Sequence, residues 1–344
     1  MIQGYELKKS NRKEQNMKKL LFVVVLIGVF LFQGTFSGYL AQVSAKDFPN
    51  KNIRWYVPYA PGGGFDMYSR AIARTMKKYL PKGVNVIVIN KPGAGGQVAT
   101  STIYRAKPDG YTVGILPMPG MYVPQMFYKT RYDVAKITWL GTVLYEPMCF
   151  ALASSSKFKT LKDLQAAESF RIAGTGFTGP EIAAPVTMET MGLKAKFIIG
   201  HNSSKEAFLA AMRGDADAIF FSYGSTRPFL IKKTFKAVLL IGTEKRIPEI
   251  PDVPTAVELG YPKLAPLGTW RVIAATPGLP EDRKKYLSDL LWKSLNDPEF
   301  QEWAKKAKRL VTPLGSAATE KALQDVVSLY AKKEFRDLLK KYFE

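Results

Sequence analysis

The stretch IRWYVPYAPGGGFDMYSRAIARTMKKYLPKG, residues 53–83, contains one complete strand–turn–helix unit. Ile53 to Val57 is short, apolar and β-rich, as a buried strand should be. Pro58 to Gly64 breaks it. Asp66 can cap the helix that follows, where Tyr68, Ile72, Met76 and Leu80 recur at helical spacing and Arg70, Arg74 and Lys78 fall elsewhere. Pro81-Lys82-Gly83 ends that helix. The pattern then repeats. Val84 to Ile89 is a strand, Asn90 to Gly96 a glycine-rich turn and Gln97 to Arg105 a helix; Pro108-Asp109-Gly110 turns into a third strand, Tyr111 to Leu116. Strands alternating with helices predict a parallel α/β sheet joined by right-handed crossovers.

A second unit begins near Trp139. Its predicted strands are Pro147–Leu152, Arg171–Ala173, Phe197–Gly200, Ala216–Phe221 and Ala237–Ile241, with helices at Leu161–Ala167, Glu181–Met191 and Lys205–Met212. Residues 246–268 read as an ordered Pro/Gly-rich loop region. Thr269–Thr276 is a further strand, and the C-terminal part is helical: Pro280–Leu295, Pro298–Lys308 and Ala317–Phe343 with breaks. The 344 residues suffice for two domains with a core each.

With one cysteine, Cys149, and one histidine, His201, the chain can form neither an internal disulfide nor a Cys/His metal cluster. No cofactor is expected. At the N-terminus, Lys18 and Lys19 precede an apolar run, Leu20–Phe32, of signal-peptide length and too short to span a bilayer comfortably; the alternative is an uncleaved membrane anchor. Val43-Ser44-Ala45 supplies small residues for cleavage after Ala45, so a periplasmic protein starting at Lys46 is expected. The net charge of +21 is spread along helices. It reads as a long-range field favouring anionic ligands, not as a nucleic-acid surface.

Three strand–glycine loop–helix junctions carry the chemistry: Gly62-Gly63-Gly64, Gly93-Ala94-Gly95-Gly96 and Gly174-Thr175-Gly176. Glycine lets backbone N–H groups approach a ligand, and the free N–H groups of a following helix attract an anion. Nucleotide signatures fail on detail. Neither of the first two loops has the Gly-Lys-Ser/Thr of a P-loop, and the third glycine of a dinucleotide fingerprint is replaced by Met67 or Val98. No nucleophile elbow appears, and Cys149 sits in an apolar strand. The rival to a binding protein is an exported α/β enzyme acting on an acidic metabolite.

Phe48-Pro49, Val57 to Asp66, Asn90 to Gly96 and Pro108-Asp109-Gly110-Tyr111-Thr112 follow one another in an order that resembles the Bug (TctC-like) receptors. These are the extracytoplasmic binding proteins of tripartite tricarboxylate transporters. Arg213 to Asp217 and Pro251 to Gly260 continue the pattern. The resemblance implies an α/β, type II periplasmic-binding-protein fold, with two α/β domains closing over a carboxylate. Residues 46–140 plus 270–344 would form domain 1, and 141–269 domain 2, after removal of the signal peptide 1–45. The implied ligand residues are Tyr59, Ala60, Gly63, Gly64, Phe65, Asp66, Pro92, Ala94, Gly95 and Gly96 in the first domain. In the second they are Thr175, Phe177, Thr178, Gly179, His201, Ser222 and Tyr223. Gly63, Gly64, Ala94 and Gly95 would hold one carboxylate through backbone N–H groups, with Asp66 acting as a helix cap. His201, Phe177 and Thr178 would form the opposite wall and set specificity. Phe65 and His201 depart from the family's usual residues there. The implied partners are a small organic acid and the membrane permease subunits, with the receptor a monomer.

Overall fold

The computed structural model describes residues 48–177 and 180–343. The expected leader and cleavage point, and the site candidates Thr178 and Gly179, lie outside them.

Among the described residues, two mixed sheets organise the chain from residue 49 to residue 343. The first contains β1 (Ile53–Val57), β2 (Val86–Asn90), β3 (Thr112–Met118), β4 (Thr138–Glu146), β10 (Thr269–Ala275) and β11 (Leu314–Gly315), in the order β11-β4-β10-β3-β1-β2. The second contains β5 (Met148–Ala153), β6 (Phe170–Ala173), β7 (Ala195–Ile198), β8 (Ala218–Ser222) and β9 (Phe235–Ile241), in the order β7-β6-β8-β5-β9. The helices are α1 (Gly64–Met76), α2 (Gln97–Tyr104), α3 (Leu161–Ala166), α4 (Ala183–Thr190), α5 (Ser204–Met212) and α6 (Tyr223–Ile231). They continue with α7 (Glu281–Leu295), α8 (Pro298–Lys306), α9 (Ser316–Tyr330) and α10 (Lys333–Phe343).

The parallel pairing expected from the sequence is present in both sheets, with antiparallel strands added to each. β1 runs parallel to β2 and β3, but β10 is antiparallel to β3 and β4. In the second sheet β6 is parallel to β7 and β8, and β5 is antiparallel to β8 and β9. β11 is antiparallel to β4, and the antiparallel strands β10 and β5 lie where the chain passes between sheets. β4 leads through Pro147 directly into β5, and β9 returns through residues 242–268 to β10.

The expected domain border at residue 141 therefore cuts through β4, whose strand continues in the first sheet to Glu146. Likewise, α10 does not stay with the first sheet. Its Tyr342 hydroxyl donates to Glu189 of α4 at 2.8 Å, and Lys341 pairs with the same carboxylate.

Side-chain alternation puts Ile53, Trp55 and Val57 in the core. Trp55 Nε1 donates to Ser69 Oγ at 2.9 Å, fixing α1 against β1 through a buried polar contact. Tyr68, Ile72 and Met76 face inward as their spacing predicted, while Arg70 and Arg74 stay exposed. On the second sheet, Phe208, Phe229 and Phe235 interlock: the first two rings stack at 4.0 Å and Phe235 meets Phe208 edge-on.

Candidate functional site

The loops after β1, β2, β6, β7 and β8 all leave the carboxyl ends of their strands, where open α/β sheets bind ligands. They line two cavities that meet at Tyr59 and Thr175.

The outer cavity is ≈ 390 Å³ and is walled on one side by Gly93, Ala94, Gly95 and Gly96. This turn has four successive positive φ values, 133°, 45°, 61° and 106°. Gly95, at φ 61° and ψ 20°, is in the left-handed region that a β-branched residue resists. The conformation brings the start of α2 to the cavity. Phe177, Gly200, His201 and Asn202 of the second sheet's loops form the facing wall, and Tyr342 and Phe343 of α10 close one end. Phe177 meets Phe197 and Tyr342 edge-on. His201 Nδ1 lies 3.0 Å from the Gly174 carbonyl, so an Nδ1–H tautomer donates there and ties two loops together.

The inner cavity is smaller, ≈ 20 Å³, and lies between Gly63, Gly64, Phe65, Ser222, Ser225 and Arg271. A Cβ on Gly64 would stand 2.7 Å from Ser225 Oγ and 3.1 Å from Arg271 Nη2, so a side chain there would push these groups aside. Tyr59 separates the cavities. Its ring packs on Phe65 at 5.1 Å and its hydroxyl donates to the Gly95 carbonyl at 3.2 Å. Burial, then the nearby Glu181, push the Tyr59 hydroxyl well above its ordinary pKa, so it remains a neutral donor.

The two glycine loops expected to share one carboxylate thus line different cavities. The residues expected around the second loop, Ala94, Gly95, Gly96, Phe177 and His201, do come together. Four other expected residues line neither cavity. Ala60 donates its N–H to the Asn202 carbonyl at 3.0 Å, bridging the two halves. Pro92 is exposed on the turn. Tyr223 is buried in the second sheet's core, where it begins α6.

The fourth, Asp66, is not the helix cap. The helix begins two residues earlier, with Gly63 at the N-cap position. Asp66 instead accepts from the Gly62 N–H at 2.9 Å, Arg70 Nε at 3.0 Å and Asn90 Nδ2 at 2.9 Å, fastening the first loop to the second. Burial opposes its charge, but these donors outweigh burial and hold its carboxyl below the ordinary range.

Sequence reasoning missed Arg271, Ser225 and Glu181. Arg271 pairs with Glu146 across the first sheet at 2.7 Å, both fully buried. A lone charge in each of two apolar segments was the available signal. Glu181 Oε1 accepts from the Thr175 N–H and hydroxyl, both at 2.7 Å, while Oε2 is buried without a partner. Burial dominates and raises its pKa from 4.5 to about 7. Cys149 is wholly buried and its thiol is pushed up to about 12, which removes it as a nucleophile near neutral pH.

Comparison with known proteins places the chain among relatives of sequence and of fold. The family model described as tripartite tricarboxylate transporter family receptor matches residues 68–331. Protein BugT of Bordetella pertussis is 27% identical, over 76% of this chain and 80% of its own. A UPF0065 protein of Agrobacterium vitis is 28% identical over 78% of each. Among solved structures, the periplasmic binding protein BugD superposes with a TM-score of 0.75 at 25% identity, covering 86% of this chain and 98% of that one. MatC of Rhodopseudomonas palustris, solved with bound malate, has the same fold, with a TM-score of 0.74 at 22% identity, covering 85% of this chain and 100% of its own.

Proposed function

The chain belongs to the tripartite tricarboxylate transporter receptor family, and from that premise we propose that it captures a small organic carboxylate in the periplasm and delivers it to the membrane subunits of such a transporter. The observation that carries this reading is the run of positive φ angles from Gly93 to Gly96, which turns the start of α2 toward a cavity of ligand size. Each helix N-terminus contributes about 0.3–1 kcal/mol toward a negative group, and more where it is partly buried. Phe177 and His201, facing that turn, are suited to reading the rest of the ligand. On this reading Thr178 and Gly179 belong to the same wall, and Gly63 and Gly64 serve the inner cavity.

Two lobes, one around each sheet, would close on the ligand by bending where β4 passes into β5 and where β9 returns to β10. The receptor acts as a monomer after removal of residues 1–45. It is a carrier and not a catalyst. The buried Cys149 supports this, since its thiol is not available as a nucleophile.

A thermal-shift screen of mono-, di- and tricarboxylates, aromatic acids and amino acids tests the function. Malate heads the screen because a protein of this fold was solved with it. A ligand that binds only the folded form raises the melting temperature. Gly95→Val, which puts a β-branched residue at φ 61°, should lower affinity for the best acid at least tenfold. A folded Gly95→Val protein with unchanged affinity would sink the anion-cradle assignment.

A further inference from the structure

The last helix, α10, ends at the outer cavity and lies beyond residues 68–331, the part of the chain that the family model matches. Phe335, Leu339 and Phe343 recur along it at i, i+4 and i+8, with Leu338 and Tyr342 beside them, so one stripe is apolar over the whole helix. The chain reaches α10 from the first sheet. α9 is fixed on β4, where Thr142 Oγ1 and Thr319 Oγ1 lie 2.9 Å apart and Ser316 Oγ donates to the Trp139 carbonyl at 2.7 Å. α10 nevertheless packs on the second sheet: Phe335 and Leu339 are buried in one cluster with Phe150, Ile182 and Met188. Its last turn is pinned at Glu189 of α4, which accepts from the Tyr342 hydroxyl at 2.8 Å and pairs with Lys341 at 2.6 Å.

These anchors set two aromatic rings across the end of the cavity. Tyr342 meets Phe177 edge-on at 5.0 Å, on the second sheet's side. Phe343 stacks on Phe127 with ring centres 4.9 Å apart and planes 6° apart, and its ring lies 6.4 Å from that of Tyr128. Phe127 and Tyr128 belong to the segment between β3 and β4, both strands of the first sheet. The Tyr128 hydroxyl in turn accepts from Gln97 Nε2 at 2.9 Å, at the start of α2. The contacts thus run unbroken from the glycine turn, round the end of the cavity, to Phe177.

We propose that Tyr342 and Phe343 are specificity-determining residues: the C-terminal helix is a strap across the two lobes, and its terminal rings set how long or bulky an acid the outer cavity takes. This inference rests on the carboxylate-receptor reading and adds to it the element that measures the ligand. A ring held between other rings cannot swing away from a longer ligand without giving up those contacts, so the wall is firm. Each lobe supplies part of it. Phe127 moves with the first sheet and Tyr342 with the second, so the wall is complete only when the lobes are together, and an acid that reaches past it holds them apart.

The test is calorimetric titration of the exported protein with short and long acids of the same kind: succinate against suberate, butyrate against octanoate, and benzoate against para-phenylbenzoate. Phe343→Ala opens the end wall and should raise the affinity ratio of long to short acid at least fivefold in each pair that the wild type binds. Phe343→Trp fills more of the same space and should lower that ratio at least fivefold. A wall gives opposite shifts for a smaller and a larger side chain, whereas lost packing alone weakens both members of a pair equally. Tyr342→Leu removes the other ring and should act in the same direction as Phe343→Ala, which keeps the test decisive if that variant fails to fold. A ratio that stays within twofold in the folded variants, or that moves the same way with the smaller and the larger residue at 343, would overturn the inference and leave the receptor reading standing. A wild type that binds none of these acids overturns both.

Discussion

Glu181→Gln converts the most perturbed carboxyl near the site into a stability measurement. In the folded protein the Glu181 carboxyl titrates at about 7 instead of 4.5, with burial the main cause. The Thr175 N–H and hydroxyl stabilise the charge only in part. The sign follows from proton counting. Between pH 4.5 and 7 the unfolded chain has released this proton and the folded chain still holds it, so stability falls as pH rises through that window. At 1.36 kcal/mol per unit, the loss is about 3 kcal/mol. Glutamine keeps a carbonyl oxygen for both Thr175 donors and resembles the protonated acid, so Glu181→Gln should not show this loss. Urea unfolding of both proteins at pH 5 and pH 8 measures it. The wild type should lose about 3 kcal/mol relative to Glu181→Gln between the two pH values. A difference that stays constant within about 1 kcal/mol would refute the assignment of Glu181 as a carboxyl buried without adequate partners.

Other consequences are simpler to state. Asp66→Ala should cost about 2–4 kcal/mol in urea unfolding, because three donors lose one buried acceptor. Since the folded pKa of Asp66 is lowered below 3.8, the wild-type advantage over Asp66→Asn should be present above that pH and vanish as the pH falls through the folded value. Substituting His201 or Phe177 should reorder the melting-temperature shifts among acids, because both face the outer cavity; an unchanged ranking in both variants would contradict a role in specificity. N-terminal sequencing of exported protein should begin at Lys46, and material retaining Leu20–Phe32 would contradict cleavage after Ala45.

The sequence by itself determined the local units. The apolar run Ile53–Val57 and the helical spacing of Tyr68, Ile72 and Met76 are short-range patterns, and periodicity fixed their faces before any tertiary contact was considered. The glycines of the second loop were legible for the same reason, because a left-handed φ is a property of single residues. β4 and α6 were not recognised. β4 joins β5 with only Pro147 between them, so no turn residues mark its end, and α6 carries Pro228 within it. Asp66 was read as a cap because cap chemistry is common to any Asp near a helix start. The helix actually starts at Gly64, with Gly63 in extended conformation at the N-cap, so Asp66 falls inside the first turn.

Only the tertiary structure decided which charges meet. Glu146 and Arg271 lie 125 residues apart, each inside a stretch that reads as apolar. The antiparallel register of β10 on β4 sets Arg271 opposite Leu144, leaving Glu146 one diagonal step away on the same face. Register is a property of two strands together. No single segment encodes it, so the buried ion pair and the division of the glycine loops between two cavities emerge only when the sheets are assembled.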